Sequence, residues 1–209
     1  MSTKIESNRQ KNESFIESAR RAQIVQCAIE VIATMGYVQA SVAQIAKKAG
    51  ISKGVVTYHF RSKDEIMQQI VSDLYEAGDS FVKPYLKAES TAAGTLRAYI
   101  KSNLEFMKAY QQHVIAVTEI VTSARTNEGK PLINPNTDSI LEFLVQLLLR
   151  GSKDGEFREF SKFSARVMAT MIRFAIDGIS FLLKSDPDID LAAIADELIK
   201  TFYLATRNE

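Results

Sequence analysis

The chain has 209 residues, of which 46% are hydrophobic and 24% charged, a composition typical of a folded protein rather than a disordered one. The net charge of +1 excludes a protein that is basic throughout, yet residues 1–65 hold ten lysines and arginines against six acidic residues. No apolar run approaches the roughly 18 residues of a membrane span, and the single cysteine, Cys27, excludes an internal disulfide. The composition predicts a cytoplasmic protein whose basic N-terminal part meets an anionic partner.

The beginning of the chain predicts a flexible polar tail over residues 1–15, followed by a first helix over 16–35. Gly36 ends this helix, since glycine readily adopts the left-handed conformation of a helix C-terminus. Ser41, with Gln44 three residues later, has the pattern of a capping box and begins a second helix, which ends at Gly50.

Two further helices follow within the next 35 residues. Ser52 caps a short third helix, in which Val56 and Phe60 lie four residues apart on one buried face. Ser62 caps a fourth helix that is expected to run to about residue 83, before Pro84. A capped helix, a turn and a short helix with exposed polar residues have the layout of a helix-turn-helix.

The rest of the chain also has helical spacing of its apolar residues, without strand alternation or an internal repeat. The segments are "AAGTLRAYIKSNLEFMKAY", "HVIAVTEIVTSAR", "DSILEFLVQLLLRGSKDGEF", "FSARVMATMIRFAIDGISFLLK" and "LAAIADELIKTFYLAT", with the main loop at "NEGKPLINPNT". The predicted fold is all-α, with about nine helices.

The short third helix is the candidate for contact with DNA, because the major groove of B-DNA admits one α-helix. Gly54 allows close approach of the helix backbone, and Lys53 can reach phosphate or guanine. Val55 and the methyl group of Thr57 can contact thymine methyls, while Tyr58 and His59 can donate to phosphates. The predicted DNA-binding residues are Ser41, Val42, Ser52, Lys53, Gly54, Val55, Thr57, Tyr58, His59 and Lys63.

The motifs "AIEVIATMGY", "SVAQIAKKAGISKG", "YHF" and "SKDEI", in this order and spacing, resemble the DNA-binding domain of the TetR family of transcriptional repressors. The resemblance implies that Ser41 and the helix after it contact phosphate and that the helix from Lys53 enters the major groove. It also implies that Lys63 contacts the DNA backbone. Thr57 departs from the family, which often has an aromatic residue there.

The resemblance further implies a DNA-binding domain over residues 16–78 and a ligand-binding and dimerisation domain over 79–209. The expected protein is a homodimer that binds an inverted repeat in double-stranded DNA and is released by a small molecule. Family resemblance favours an apolar or amphipathic inducer, and the acidic balance of the second domain favours a neutral or cationic one. The fourth helix is expected to connect the two domains and to carry the ligand's effect to the DNA-binding helix.

Aromatic, methionine and other apolar residues in the second domain are candidates for a ligand pocket, although such residues also build ordinary helical cores. The candidates are Phe106, Met107, Tyr110, His113, Phe143, Leu147, Met168, Met171 and Phe174. Thr118, Glu119 and Arg173 are scarce polar groups beside these stretches and could orient a ligand.

Two other functions fit parts of the sequence: a helical enzyme that uses His113 or Glu119, and a module whose first helices bind a protein. The chain lacks nucleotide-binding and metalloprotease motifs, and His59 has too few potential ligands near it for zinc. Cys27 fits the core of the first helix. The sequence therefore predicts no enzyme, no metal and no cofactor.

The last two segments are too apolar for helices that lie alone on a surface. Paired with their symmetry copies they would form a four-helix bundle, in which Ala175 and Gly178 permit close approach.

Overall fold

The computed structural model describes the backbone of residues 2–126, 128–133 and 138–208, and the side chains from residue 15 onwards. Within these ranges the fold is all-α, as predicted, and the β pairing is limited to one isolated bridge between Arg125 and Pro131. The helices are α1 Ser2–Met35, α2 Val42–Ala49, α3 Lys53–His59, α4 Lys63–Lys87, α5 Ala92–Ala109, α6 Gln111–Ser123, α7 Asp138–Lys153, α8 Lys162–Ser185 and α9 Leu191–Thr206.

Two helix boundaries differ from the predicted ones. Helix α1 begins at Ser2 rather than near residue 16, because residues 2–15 contain neither glycine nor proline to interrupt it. Helix α4 continues through Pro84 to Lys87. Proline lacks the N–H of an ordinary helical residue, but Pro84 is exposed near the helix end, and its carbonyl still accepts a hydrogen bond from the N–H of Ala88 at 3.2 Å.

The chain divides into two compact units that differ from the predicted domains. Unit 1 comprises residues 1–73 and 116–133, and unit 2 comprises residues 74–115 and 134–209. The difference arises because the second half of α6 packs in unit 1, a long-range contact that sequence periodicity does not reveal. Helices α4 and α6 therefore each contribute residues to both units.

In unit 1, α2 packs on α1 and α3, around buried aliphatic residues of each helix. The turn after α1 contains Gly36, whose φ of 80° is in the left-handed region. The serine caps form as predicted: Ser41 Oγ accepts from the N–H of Gln44 at 3.2 Å, and Ser62 Oγ accepts from the N–H of Glu65 at 3.2 Å. These caps fix the start of α2 and of α4.

In unit 2, α5 packs against α7, α8 and α9, and α7 packs against α8. Glu156 caps α5, with its carboxylate accepting from the N–H groups of Ala92 at 3.0 Å and Ala93 at 2.9 Å. These bonds hold the pKa of Glu156 below its ordinary value. Across the described residues no helix is both long enough and apolar enough to cross a membrane.

Candidate nucleic-acid interface

Helix α3 separates its residues into a buried and an exposed face, as its spacing predicts. Val56 and the cap residue Phe60 are buried, which anchors the helix on unit 1. Val55 and His59 are half-buried. The opposite face is formed by exposed residues, namely Lys53, Gly54, Thr57 and Tyr58.

The first turn of α3 is held by local hydrogen bonds. Ser52 Oγ accepts from the N–H of Val55 at 3.3 Å, and Thr57 Oγ1 donates to the carbonyls of Lys53 at 3.2 Å and Gly54 at 3.1 Å. Because the Thr57 hydroxyl is engaged with its own helix, its methyl group is the part suited to a contact with DNA. A Cβ on Gly54 would meet only Ser52 Oγ, at an ordinary 3.7 Å, so the fold itself does not require glycine there.

The end of α3 presents one tyrosine and partly covers one histidine. Tyr58 is 79% exposed, and its ring packs edge-on against that of His59, with centroids 5.0 Å apart. His59 Nδ1 is buried without a hydrogen-bond partner among the described residues. Of the two predicted phosphate donors, Tyr58 is therefore the freer one. Among the other predicted DNA-binding residues, Ser41 is exposed and Val42 half-buried.

Lys63, the remaining predicted DNA-binding residue, makes intramolecular contacts. Its Nζ donates to the carbonyl of Tyr37 at 2.8 Å and lies 3.9 Å from the centroid of the Tyr37 ring. Burial lowers the pKa of this ammonium group, and the charge of Asp64 acts in the opposite direction. Lys63 thus fastens the turn after α1 to the start of α4, a role that the sequence did not indicate.

The same turn is held from α6. The carboxylate of Glu119, which is 8% exposed, accepts a hydrogen bond from the N–H of Tyr37 at 3.0 Å. A Cβ on Gly36 would lie 3.2 Å from Glu119 Oε2, so glycine also permits this close approach. Glu119 was expected beside a ligand or in an enzyme site, whereas the structure places this contact within unit 1.

The predicted pocket residues of unit 2 fall into three groups. Phe106, Met107, Leu147 and Met168 are buried in the core. Tyr110 and Phe143 are partly exposed, and His113 is half-buried. The third group, Met171 and Phe174, is exposed by 56% and 68%, so these two do not line an interior pocket of one chain.

Met171 and Phe174 instead belong to an apolar stripe along α8, because helical spacing places them opposite the buried Ala169 and Ile176. The exposed apolar residues of this stripe are Phe163, Val167, Met171, Phe174, Phe181 and Leu182. A Cβ on Gly178 would meet nothing within 4 Å, so space beside α8 remains open at that point. We call this surface the α8 stripe.

Two groups of aromatic and polar residues lie inside unit 2. The Phe106 ring contacts those of Phe81 and Tyr110, with centroids 5.6 and 4.6 Å away. In the second group, Arg173 is only 12% exposed; it donates to Asp177 Oδ2 at 2.9 Å and to Tyr99 Oη at 3.2 Å.

Burial acts to lower the pKa of Arg173, but Tyr99 and Asp177 outweigh that effect, so the net shift is upward and the guanidinium stays charged. The Tyr99 ring also packs against that of Phe143, at 6.0 Å between centroids. Unit 2 therefore holds a charged donor group within a largely apolar interior.

A separate open groove of about 250 Å³ runs between α5 and α9. Its lining includes the buried apolar residues Leu96, Ile100 and Phe157, together with three charged residues, Arg97, Asp196 and Lys200. It contains none of the predicted pocket residues. In the described part of the chain no three histidine, cysteine or acidic side chains converge as metal ligands.

Comparison with known proteins gives a family match to part of unit 1 and relatives that match most of the chain. Residues 24–70 match the family described as bacterial regulatory proteins, tetR family. Over 188 residues the chain is 26% identical to the fatty acid metabolism regulator protein of Bacillus subtilis (strain 168), covering 90% of this chain and 95% of that protein.

Two solved structures resemble the whole fold. The transcriptional regulator FadR from Bacillus subtilis, in complex with stearoyl-CoA, has a TM-score of 0.69 at 27% identity, over 87% of this chain and 97% of that one. AibR, in complex with isovaleryl coenzyme A and operator DNA, has a TM-score of 0.74 over 88% of this chain and 98% of that one. At 19% identity the second likeness shows the fold alone.

A short capped helix with an exposed polar face, on a helix-turn-helix unit followed by a larger helical unit, defines a two-unit DNA-binding regulator. The matched motif region and the relative of nearly equal length make the assignment more specific. Residues 24–70 carry the DNA-binding domain of the TetR family of bacterial regulatory proteins, and over nearly its whole length the chain is similar to transcriptional regulators of the FadR type.

Proposed function

We propose that the chain is a transcriptional repressor of the bacterial cytoplasm that binds an inverted-repeat operator as a homodimer and is released by an acyl-CoA. The observation that carries the DNA-binding part is the division of α3 into a buried anchor and an exposed face of Lys53, Gly54, Thr57 and Tyr58. Two copies of α3 would enter successive major-groove faces on one side of the duplex. The proposal assigns no catalytic step to the chain.

The α8 stripe supports the dimer. Large apolar side chains along the full length of a helix are unfavourable in water, and a second copy of the same surface would bury them in a two-fold symmetric contact. Tyr203 and Leu204, both about half exposed, add apolar surface on α9. The two-fold axis of such a dimer would match that of an inverted repeat.

The ligand class is inferred from the relatives together with the interior of unit 2. FadR was solved with stearoyl-CoA and AibR with isovaleryl coenzyme A, so acyl thioesters of different chain lengths are the first candidates. An acyl chain suits the apolar surroundings of Phe106 and Leu147, and the charged group of Arg173 suits a carbonyl or phosphate oxygen. An acyl-CoA differs from the neutral or cationic inducer that the net charge of the second domain favours. The groups that line a binding site select its ligand, and the net charge of the whole domain does not.

Release from DNA requires that the ligand bind two states of the protein with different affinity. Helices α4 and α6 contribute residues to both units, and each also holds the turn at Tyr37, through Lys63 and Glu119. We propose that these two helices carry the effect of the ligand to α2 and α3.

The test is a titration of the chain onto duplexes from the intergenic DNA around its own gene, searched for an inverted repeat. Affinity for one repeat should exceed that for random duplex by at least about a thousandfold and fall steeply with salt. Addition of isovaleryl-CoA, octanoyl-CoA or stearoyl-CoA should weaken binding for at least one chain length, while free CoA serves as the control. Binding to all duplexes with equal affinity would contradict the repressor assignment, and indifference to every acyl-CoA would contradict the ligand class.

A further inference from the structure

The guanidinium of Arg21, in α1, contacts both ends of the connection between α3 and α4. Its Nη1 donates to the carbonyl of His59, and its Nη2 lies 3.3 Å from Glu65 Oε1. Its Cζ lies 4.0 Å from the centroid of the Phe60 ring. One side chain therefore holds the last residue of α3, the residue after it and the first turn of α4, all within unit 1.

These contacts satisfy groups that the end of a helix leaves open. The last carbonyls of an α-helix have no partner within the helix, and a cation near them is favourable because of the helix dipole. Arg21 supplies both a donor and a positive charge at the end of α3, and its planar group stacks on Phe60. A lysine at position 21 could supply the charge, but it has no planar group with several N–H donors.

Glu65, the acidic partner of Arg21, also makes hydrogen bonds at the start of α4. Glu65 Oε2 accepts from the N–H of Arg61 at 2.8 Å, and the N–H of Glu65 donates to Ser62 Oγ. The bond from Arg61 holds the pKa of Glu65 below its ordinary value, and Arg21 acts in the same direction. The ion pair joins α1 to the segment that follows α3.

Helix α3 has seven residues, too few to hold its own direction without tertiary contacts. Ser52 caps its N-terminus, and the buried Val56 anchors its inner face. The position of its C-terminal end therefore depends on the contacts of His59. A neighbouring residue of α1, Gln23, donates to the carbonyl of Ala49 at the end of α2 in a similar way. Side chains of α1 thus fix the C-terminal ends of both helices of the helix-turn-helix.

We propose that Arg21 is a positioning residue for sequence reading, which sets the direction of α3 through His59 and Phe60 without contacting DNA. The inference rests on the proposed function, since it presumes that α3 reads the operator. Base contacts need accurate placement of side chains, whereas phosphate contacts in non-specific binding tolerate displacement. Loss of Arg21 should therefore reduce specificity more than it reduces general affinity for DNA.

The experiment compares Arg21→Met with Arg20→Met, which removes the same charge from the adjacent residue. Arg20 Nη1 donates to Gln23 Oε1, one helical turn away, and the bond from Gln23 Nε2 to the carbonyl of Ala49 does not involve Arg20. Operator and random duplexes are titrated with each variant at several salt concentrations. For Arg21→Met the ratio of operator to random affinity should fall about tenfold, with the slope of log K against log salt unchanged. For Arg20→Met the ratio should stay within about twofold of the wild-type value.

Three results would overturn the proposal. Equal losses on both duplexes, with the salt slope reduced by about one, would make Arg21 a phosphate contact. An unchanged ratio would mean that α3 holds its direction without Arg21. A similar fall for Arg20→Met would show that charge rather than position matters. Failure of the wild-type chain to prefer any inverted repeat would instead contradict the repressor assignment.

If Arg21→Met does not fold, as judged by circular dichroism and thermal unfolding, Arg21→Lys and Glu65→Gln provide the test. Arg21→Lys keeps the charge and should lower the operator-to-random ratio severalfold. Glu65→Gln should lower it by a smaller factor, and the double variant should lose less than the product of the two single losses, because both residues act through one contact. Multiplicative losses, or no loss for Arg21→Lys, would overturn the proposal.

Discussion

The carboxylate of Glu119 accepts a hydrogen bond from the backbone N–H of Tyr37 at 3.0 Å, although the two residues are far apart in the sequence. The carbonyl of Tyr37 accepts a second hydrogen bond, from Lys63 Nζ at 2.8 Å. The turn between α1 and α2 is thereby held by α6 on its N–H and by α4 on its carbonyl. These are the two helices that contribute residues to both units.

This arrangement predicts that Glu119→Ala weakens the response to ligand. In the wild-type chain, acyl-CoA and operator should weaken each other's binding by the same factor, equivalent to about 1–3 kcal/mol. Without the carboxylate, α6 loses a contact with the turn before α2, so this coupling should fall while the affinity for acyl-CoA stays the same. The measurement is a ligand titration with and without operator.

Glu119→Gln is the matched control, since its amide oxygen can still accept from Tyr37 and most of the coupling should remain. The loss of a buried acceptor should also lower the free energy of unfolding of Glu119→Ala by about 1–3 kcal/mol. Full coupling in a folded Glu119→Ala variant would show that α6 does not act through Tyr37.

Lys53→Ala should weaken binding to the operator without changing the stability of the fold. Lys53 is exposed at the start of α3, and a lysine contact with guanine contributes about 1–3 kcal/mol of discrimination. Binding of the variant to operator and random duplexes, together with its melting temperature, tests this. Lys101→Ala, at an exposed position of α5 in unit 2, removes the same charge and should leave both affinities unchanged.

Much of unit 1 could be predicted from the sequence because its signals are local. Serine caps, the glycines at 36 and 50, and the spacing of Val56 and Phe60 each act within a few residues, and the structure confirms them. The resemblance of four motifs added the fold of the helix-turn-helix. The exposure of the candidate DNA-binding face of α3 follows from the same spacing.

Contacts between distant segments could not be predicted in this way. The bonds of Glu119 and Lys63 with Tyr37, and of Arg21 with His59, join residues whose separation carries no periodic signal. The sequence also could not separate interior from exposed positions among the methionine and aromatic residues of α8, because both faces of that helix are apolar.

Gly54→Ala should reduce operator affinity while leaving the fold intact. A methyl group at this position meets only Ser52 Oγ at an ordinary distance, and alanine is favoured over glycine in helices, so the melting temperature should stay equal or rise. Close approach of the α3 backbone to DNA would leave no room for the methyl group, and we expect a loss of about tenfold or more in operator affinity. Unchanged affinity would show that the backbone does not approach DNA at Gly54.

Gly151→Ala is the contrasting variant, because glycine at that position serves the fold. A Cβ there would lie 2.3 Å from the Phe157 ring and 2.8 Å from the Cβ of Ala92, so α7 could not keep its present distance from these residues. The free energy of unfolding should fall by about 1–3 kcal/mol. Gly54→Ala therefore tests whether glycine is needed for contact with DNA, and Gly151→Ala tests whether glycine is needed for packing within unit 2.

The α8 stripe predicts that Phe174→Glu yields a monomer. Phe174 is 68% exposed, so the substitution should not disturb the interior of unit 2, and the melting temperature of the monomer should reflect only the loss of the partner. In the dimer, however, two-fold symmetry would bring the two introduced carboxylates into one apolar contact, where their desolvation is unfavourable.

Light scattering at micromolar concentration should give about twice 23.3 kDa for the wild-type chain and about 23.3 kDa for the variant. Arg166→Gln, on the same helix but at an exposed polar position, lowers the net charge by the same one unit and should leave the dimer intact. Operator affinity should fall steeply for Phe174→Glu, because a monomer presents a single copy of α3, while binding to a half-site should be little changed. A Phe174→Glu variant that remains dimeric would place the interface on another surface of unit 2.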